Sequence, residues 1–422
     1  MCSERIGRCA FDQYDEVVRE AVDYVPRRAA ELVAEALLDT RVVVLNGARQ
    51  VGKSTLAEKV LRQHGGAARY LDQGPVRAIA EADPGAFVQH DGLLLIDEVQ
   101  RVPDLWLEIK HTVDRDPRPG RFLLTGSARL LALKELPDAL PGRSETVELW
   151  PLSQGEIDGT TDGFVDSAFA RGPELRVDWR ELRKKDYLMR ARRGGYPEAL
   201  LRDSPRRRTK FFEGYLADLM ARDVKQVADI DKASDMRKLM SLLAAQTAGM
   251  LSFNRLAGEL GLSTNTVKRY VEILETIYLV RTVPAWSANA TTRAVATPKV
   301  FFVDSGIAAH LGADEGALLE NFVLGELARQ LTWSETRATL HHYRDRDQYE
   351  VDAVLEDHLG RVIGVEVKAA ESVRTDDFRG LRLLQRRLGD RFLAGFVLYS
   401  GEFSGSFGNG MTCLPISALW TS

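Results

Sequence analysis

Several short apolar segments in the first third of the chain are continuous rather than alternating. Residues 41–46 (RVVVLN), 92–96 (GLLLI) and 121–124 (RFLL) have this form. A continuous apolar run of this length is typical of a strand that is buried on both faces, as in a parallel sheet. Residues 55–61, which follow the first run, carry apolar positions at helical spacing. The pattern therefore predicts an α/β fold with a parallel sheet and helices on both faces.

A glycine-rich turn joins the first predicted strand to the helix after it. Residues 47–54 (GARQVGKS) fit the pattern G-x-x-x-x-G-K-[ST]. Backbone N–H groups of such a turn surround phosphates, the lysine binds the β- and γ-phosphates, and the serine binds Mg²⁺. We therefore expect ATP and Mg²⁺ as cofactors. The predicted nucleotide-binding residues are Gly47, Ala48, Arg49, Gln50, Val51, Gly52, Lys53, Ser54 and Thr55.

Polar residues also end the next two apolar segments. We expect Asp97 to hold Mg²⁺ together with Ser54, and Glu98 to act as the general base that polarises the attacking water. An ordinary acidic surface turn is the alternative. The third segment ends in two hydroxyl residues, Thr125 and Ser127, and the pattern leaves the choice between them open. We favour Ser127 as the residue that senses the γ-phosphate.

These motifs and several later ones resemble those of AAA-type (AAA+) P-loop ATPases of the additional-strand, catalytic-glutamate class. The resemblance is narrower to prokaryotic ATPases in which a conserved C-terminal domain of undefined function follows the AAA domain. It implies a P-loop NTPase fold and hydrolysis of ATP to ADP and phosphate. The segments that carry it are 47–55 (GARQVGKST), 95–100 (LIDEVQ), 124–128 (LTGSA), 141–143 (PGR), 151–153 (PLS), 194–198 (GGYPE), 222–224 (RDV) and 302–307 (FVDSGI).

The same resemblance gives a role to Arg143. In AAA-type enzymes an arginine near this place reaches into the nucleotide site of a neighbouring subunit, where it offsets charge on the transferred phosphate. The alternative is a surface arginine that precedes a strand. The first interpretation implies a homo-oligomer, and a different protein partner stays open.

The pattern changes beyond the ATPase core, and we predict five parts. These are a lead-in (1–26), the AAA-type ATPase core (27–152), a helical lid or linker (153–233), a winged helix-turn-helix (234–304) and a restriction-endonuclease-like α/β domain (305–422). In the fourth part Gly261 interrupts a helical pattern, and the helix after it has Asn265 and Arg269 on its outer face. Such side chains suit base edges in the major groove of DNA. Packing against a partner or the same chain is the alternative.

Charged residues recur near the C-terminus at strand spacing. Asp352 lies on one predicted strand, and Glu366 and Lys368 share a side of the next. With Glu326 on the preceding predicted helix (321–331), they resemble a PD-(D/E)xK-type nuclease site, in which carboxylates hold Mg²⁺ and a lysine assists phosphodiester cleavage. The alternative is a face of paired charges. In that case the domain is catalytically silent, and the chain is an ATP-dependent switch or scaffold for a protein partner.

Composition narrows these interpretations. The net charge of −4 over 422 residues gives no overall attraction to nucleic acid, so a DNA-binding surface must be local. No apolar run approaches the roughly 20 residues that span a bilayer. The 3 cysteines are too few and too scattered for a disulfide framework. We therefore expect a cytoplasmic protein without membrane contact.

Overall fold

The continuous apolar segments form adjacent strands of one sheet in the computed structural model, which describes residues 24–126, 140–178, 180–224, 233–287 and 296–422. The sheet has the order β2-β3-β4-β1-β5, and every pair in it is parallel. The predicted parallel α/β sheet is therefore confirmed. Its strands are β1 (Val42–Gly47), β2 (Ala67–Tyr70), β3 (Leu94–Asp97), β4 (Phe122–Thr125) and β5 (Ser144–Leu149).

Helices cover both faces of this sheet because the side chains of each strand alternate in direction. On β1, Val43 and Leu45 pack into one hydrophobic cluster, while Val42 and Val44 pack into another. The first cluster lies against α1 (Ala29–Asp39) and α2 (Lys53–His64), and the second lies against α3 (Gly74–Ala82), α4 (Pro84–Phe87) and α5 (Leu105–Arg115). The carboxyl ends of the parallel strands, where the phosphate-binding turn lies, meet at one edge.

The next part of the chain is helical and packs against the C-terminal half. Its elements are α6 (Gln154–Asp158), α7 (Phe164–Arg171), α8 (Lys184–Arg193), α9 (Pro197–Leu200), α10 (Pro205–Asp218) and a π-helical segment (Leu219–Val224). The ring of Phe164 on α7 meets Phe396 edge to face at 5.6 Å. The N–H of Gly163 donates to the carbonyl of Ser422. The region predicted as a lid or linker therefore contributes α7 to the core of the C-terminal half.

A three-helix segment with a short hairpin follows. It comprises α11 (Ala233–Ala245), α12 (Phe253–Leu260), α13 (Thr264–Thr276) and the antiparallel strands β6 (Val280–Val283) and β7 (Lys299–Phe302). Gly261 ends α12 with a left-handed backbone (φ 65°), a conformation that glycine adopts without steric cost. Two residues later Ser263 caps α13 by accepting from the N–H of Thr266. These signals explain the tight turn between α12 and α13.

The C-terminal half is built on a mixed sheet with the order β12-β13-β11-β10-β9-β8. The pairs β10–β11 and β11–β13 are parallel, and the others are antiparallel. Within the described residues, no helix combines the length and apolar character needed to cross a membrane. The elements are α14 (Ser305–His310), α15 (Glu315–Gln330), β8 (Ala338–Arg344), β9 (Glu350–Asp357), β10 (Val362–Lys368), α16 (Arg379–Leu388), β11 (Phe392–Tyr399), β12 (Gly405–Ser406), β13 (Met411–Pro415) and α17 (Ala418–Thr421).

Helix α15 lies between the ATPase side and the C-terminal sheet. It begins at Glu315, where Asp314 caps it, and not at 321 as the sequence indicated. Leu319, Phe322 and Leu327 belong to the same hydrophobic cluster as Leu45 of the first sheet. The two sheets therefore share one hydrophobic cluster, to which this helix contributes.

Candidate functional site

The phosphate-binding turn needs glycine at both ends of its motif. A Cβ on Gly47 would lie 2.2 Å from the carbonyl oxygen of Leu149 on β5, and the backbone there has φ 148°. Gly52 has φ 94° and directly precedes α2. L-amino acids with a Cβ rarely adopt either conformation. The turn therefore lies close to β5 and leads directly into the N-terminus of α2.

Lys53 lies inside this turn and is only 6 % exposed. Its ammonium donates to the carbonyl of Gly47 at 3.1 Å and to that of Ala48 at 2.7 Å. A buried cation next to a helix N-terminus is a site for phosphate, because both attract negative charge. The position of Lys53 in the turn is suited to binding the phosphates of a nucleoside triphosphate.

Asp97 accepts hydrogen bonds from hydroxyl groups on two other elements. The Oγ of Ser54 donates to Asp97 Oδ1 at 2.7 Å, and the Oγ1 of Thr125 donates to the same oxygen at 2.6 Å. Asp97 is 6 % exposed, at the carboxyl end of β3. A carboxylate and a hydroxyl at this separation are the hard oxygen donors that Mg²⁺ prefers. The structure thus brings together Ser54 and Asp97, which are far apart in sequence.

Glu98 follows in a strained conformation, with φ 59°. A non-glycine residue in this region costs about 1 kcal/mol or more, and such strain is common where function needs a fixed side chain. The N–H of Glu98 donates to Thr125 Oγ1 at 3.0 Å, and its carboxylate accepts from the side chain of Gln100 at 2.6 Å. Thr125 therefore contacts both acidic residues. Ser127, which the sequence favoured, lies outside the described residues.

Arg143 lies at the opposite edge of the first sheet. The residue after it pairs with Val42 at the start of β1, whereas the phosphate-binding turn follows the end of that strand. The guanidinium of Arg143 donates to Asp114 on α5 at 2.5 Å, and this hydrogen bond lowers the pKa of Asp114. The structure does not bring Arg143 to the nucleotide site of its own chain. A role in the site of a neighbouring subunit stays a prediction.

Arg27 is a site residue that the sequence did not indicate. It is 9 % exposed and donates to the carbonyls of Val51, in the phosphate-binding turn, at 2.8 Å and of Trp150, after β5, at 2.6 Å. Its Nε also donates to Glu156 at 3.2 Å. Because these partners are distant in sequence, a local pattern gives no signal for Arg27. It connects the back of the turn to the segment that leaves the ATPase sheet.

Glu326 meets the same segment from the C-terminal side. It is 1 % exposed, accepts from the backbone N–H of Gln154 at 3.0 Å, and pairs with Arg329 at 2.8 Å. Arg329 also donates to the carbonyls of Pro151 and Val303. Burial raises the pKa of Glu326 from its ordinary 4.5 to about 7. Glu326 therefore contacts the junction between the two halves, and the structure does not bring it together with Glu366 and Lys368.

Replacement of Glu326 by glutamine should flatten the pH dependence of stability. Between about pH 4.5 and about pH 7 the folded state keeps a proton that the unfolded chain has lost, so this group makes stability fall as pH rises. Its share is up to about 3 kcal/mol. Urea midpoints at a series of pH values would measure the change. Glu315→Gln, on the exposed end of the same helix, is the control, and an unchanged slope in Glu326→Gln would contradict the assignment.

The other charged residues predicted near the C-terminus do assemble, with two additions. We name them the carboxylate group: Glu320, Asp352 and Glu366 with the lysines Lys299 and Lys368. The Nζ of Lys299 lies 2.6 Å from Glu320 and 3.0 Å from Asp352. Lys368 donates to Glu366 at 2.8 Å, and burial raises the pKa of Glu366 to about 8.

Helical geometry explains why Glu320 replaces Glu326 in this group. Six residues along an α-helix correspond to about 9 Å of rise and about 240° of rotation, so the two side chains lie on different faces of α15. Lys299 comes from β7, and no local pattern relates it to the other members. Over the parts of the chain that the structure covers, no three His, Cys, Asp or Glu side chains are arranged to hold a metal ion. Of the four residues predicted for the nuclease site, Asp352, Glu366 and Lys368 therefore lie in the carboxylate group and Glu326 does not, and metal binding by Asp352 and Glu366 stays a prediction.

Family models match successive parts of the chain. A model described as an AAA domain matches residues 39–158, and it supports ATP binding and ATP hydrolysis by the first sheet and its loops. Two models described as domains of unknown function, DUF8612 and DUF4143, match residues 184–317 and 315–419. The AAA match covers the turn at Lys53 and the acidic residues Asp97 and Glu98.

Solved structures show weaker similarity. The Walker-type ATPase paby2304 of Pyrococcus abyssi is 15 % identical and covers 68 % of this chain and 96 % of its own, with a TM-score of 0.41. AMPPCP-bound DnaA from Aquifex aeolicus is also 15 % identical, covering 62 % and 87 %, with a TM-score of 0.29. Neither value is high enough to equate whole folds, so the assignment to a family depends on relatives in sequence.

Such relatives cover nearly the whole chain. Uncharacterized protein Rv2008c of Mycobacterium tuberculosis and Uncharacterized protein Mb2031c of Mycobacterium bovis are each 30 % identical over 409 residues, which is 94 % of this chain and 85 % of each relative. Together with the AAA match, these similarities show that the chain is an ATPase with an AAA domain and that it belongs to the family of these mycobacterial proteins.

Proposed function

We propose that the chain is a Mg²⁺-dependent ATPase that transmits its nucleotide state to its C-terminal half and acts on DNA through α13. The observation that carries this proposal is a shared segment, residues 150–156. Arg27 connects that segment to the phosphate-binding turn, and Glu326 and Arg329 connect it to α15. A change in the turn on nucleotide binding therefore has a direct route to the C-terminal half.

Ser54 and Asp97 are suited to hold the Mg²⁺. The ion, when bound, would neutralise charge on the β- and γ-phosphates. Lys53 would bind the same phosphates from inside the turn, because its ammonium already lies among carbonyls of the turn. Glu98 would accept the proton of the attacking water, with Thr125 holding its backbone in place.

The three-helix segment supports a winged helix-turn-helix. Val267 and Val271 of α13 are buried against the chain, whereas Asn265, Lys268 and Arg269 are exposed. An exposed amide and exposed cations on the helix after a tight turn match the chemistry of DNA bases and phosphates. The strands β6 and β7 would form the wing.

Contacts from the hairpin to the ATPase sheet suggest how DNA would influence hydrolysis. Arg281 on β6 forms a short hydrogen bond with Glu148 on β5, and it lies over the ring of Trp150 at 5.5 Å. Arg27 donates to the carbonyl of this same tryptophan. A shift of the proposed wing would therefore reach the phosphate-binding turn through β5.

The C-terminal sheet supports a restriction-endonuclease-like fold. The hairpin of β9 and β10 carries Asp352 on one strand and Glu366 and Lys368 on the other, and α16 then leads to the parallel strand β11. We retain the proposed limits of 234–304 for the winged helix and 305–422 for this domain.

Duplex DNA should raise the rate of ATP hydrolysis in the wild-type protein, and Asn265→Ala with Arg269→Ala should remove the increase. Each lost phosphate contact should also reduce by about 1 the slope of log affinity against log salt. Phosphate release with and without DNA, and DNA binding at several salt concentrations, would measure both effects. Lys238→Ala, which removes an exposed lysine on α11, is the control.

An ATP-dependent switch for a protein partner is the second candidate. It is favoured by the coupling through Arg27 and α15, which does not require a nucleic acid. Hydrolysis that is unaffected by duplex and single-stranded DNA, in a protein that hydrolyses ATP normally, would contradict the DNA proposal and support this one.

A further inference from the structure

Lys299 lies in the middle of the carboxylate group, where its charge is enclosed. Its side chain is 3 % exposed, and its ammonium lies between Glu320 and Asp352. Burial opposes a charged lysine, but Asp352 and Glu320 outweigh burial and raise the pKa of Lys299 above its ordinary value. The group therefore contains a permanent positive charge supplied by the chain.

This placement does not fit the divalent metal that an endonuclease-like fold implies. A metal needs several carboxylate oxygens turned toward one point. Here the Oδ1 of Asp352 accepts from Lys299, its Oδ2 accepts from the N–H of Val367 at 2.9 Å, and Glu320 accepts from Lys299 as well. Asp352 therefore cannot bind a divalent cation without giving up a hydrogen bond to Lys299 or to Val367.

Lys299 also ties separate parts of the fold together. It is the first residue of β7 in the hairpin, while Glu320 lies on α15 and Asp352 on β9. Helix α15 also contacts β7 through Asn321, which follows Glu320. The side chain of Asn321 accepts from the N–H of Phe302 and donates to the carbonyl of Phe302. The ion pairs thus hold the hairpin against the C-terminal sheet.

We propose that Lys299 is the resident cation of the carboxylate group, so that the C-terminal half holds its three acids without a divalent metal, does not cleave phosphodiesters, and uses this cluster to fix the hairpin. The proposal involves no residue of the phosphate-binding turn. Failure of the ATPase or DNA proposal would leave it unaffected, and its own failure would leave ATP hydrolysis in place.

The test uses the full chain without nucleotide and Mn²⁺ alone as the probe. In the wild type we expect no Mn²⁺ binding that depends on Asp352, and no increase in thermal stability that Asp352→Asn removes. Lys299→Ala should lower the unfolding temperature by several degrees, because it leaves buried carboxylates without their partner. Mn²⁺ should restore much of that loss by binding, in the folded state, the carboxylates that have lost Lys299.

A double variant identifies the site of the effect. Lys299→Ala combined with Asp352→Asn should lose the response to Mn²⁺, and Lys238→Ala, which removes an exposed lysine on α11, should match the wild type throughout. If Lys299→Ala does not fold, Lys299→Met keeps the apolar part of the side chain and gives the same comparison.

Several results would overturn the proposal. One is Mn²⁺ binding to the wild type that Asp352→Asn abolishes. Another is cleavage of DNA by the wild type with Mg²⁺ or Mn²⁺ that Lys368→Ala abolishes. A third is a folded Lys299 variant that keeps the wild-type unfolding temperature and shows no response to Mn²⁺.

Discussion

The Lys53→Ala variant should lose nearly all affinity for ATP. The lysine supplies the cation inside the phosphate-binding turn, and it is positioned by hydrogen bonds to Gly47 and Ala48. Hydrogen bonds from a charged group contribute about 1.5–3 kcal/mol each. Loss of contacts to two phosphates would therefore weaken binding by roughly 10² to 10⁴-fold. Calorimetric titration with ATP and Mg²⁺ measures this directly.

The matched control for this variant lies on the same helix. Lys59 is exposed on α2, where its ammonium lies over the ring of Tyr24 at 3.9 Å, away from the turn. Lys59→Ala should bind ATP as the wild type does. Unchanged ATP affinity in a folded Lys53→Ala protein would mean that the turn does not bind the triphosphate, and the proposed mechanism would fail.

The second large effect concerns hydrolysis rather than binding. Glu98→Gln should bind ATP with nearly wild-type affinity but hydrolyse it roughly 10² to 10⁴ times more slowly, because an amide does not accept the proton of the attacking water. The exchange keeps the size of the side chain, and the backbone bond from Glu98 to Thr125 does not involve the carboxylate. Binding calorimetry and phosphate release on the same sample separate the two effects.

Asp97→Asn and Glu81→Gln complete this comparison. Asp97→Asn should weaken the binding of Mg²⁺, because the carboxylate of Asp97 is the one that contacts Ser54. Glu81→Gln, an exposed residue of α3 paired with Arg77, should behave as the wild type. A normal turnover rate in Glu98→Gln would show that another group accepts the proton.

The phosphate-binding turn was predictable because its residues are adjacent in the chain. The turn from Gly47 to Ser54 combines glycines with positive φ, a lysine and a helix start within a few positions, and these local requirements are visible as a pattern. The buried strands that support it are visible as continuous apolar runs. Parallel strands place their carboxyl ends at one edge, so the sequence alone predicts that Asp97 lies near Ser54.

Side chains that meet across the fold were not predictable in this way. Arg27 contacts partners near 51, 150 and 156, and no spacing in the chain marks them as neighbours. Lys299 reaches acids on α15 and β9, and its presence changes the chemistry expected of Asp352 and Glu366.

Helix α15 shows most clearly why some contacts could not be predicted from the sequence. A strand alternates with a period of two, so a pattern of charges on it assigns a face directly. A helix that is buried on most sides has no polar stripe to mark which face meets which neighbour, and α15 is buried from Leu318 to Gln330 at most positions. Local sequence therefore specified the turn, the strands and the acids at their ends. Only the packing of distant elements decided that Glu320, rather than Glu326, joins the carboxylate group and that Lys299 is the cation beside it.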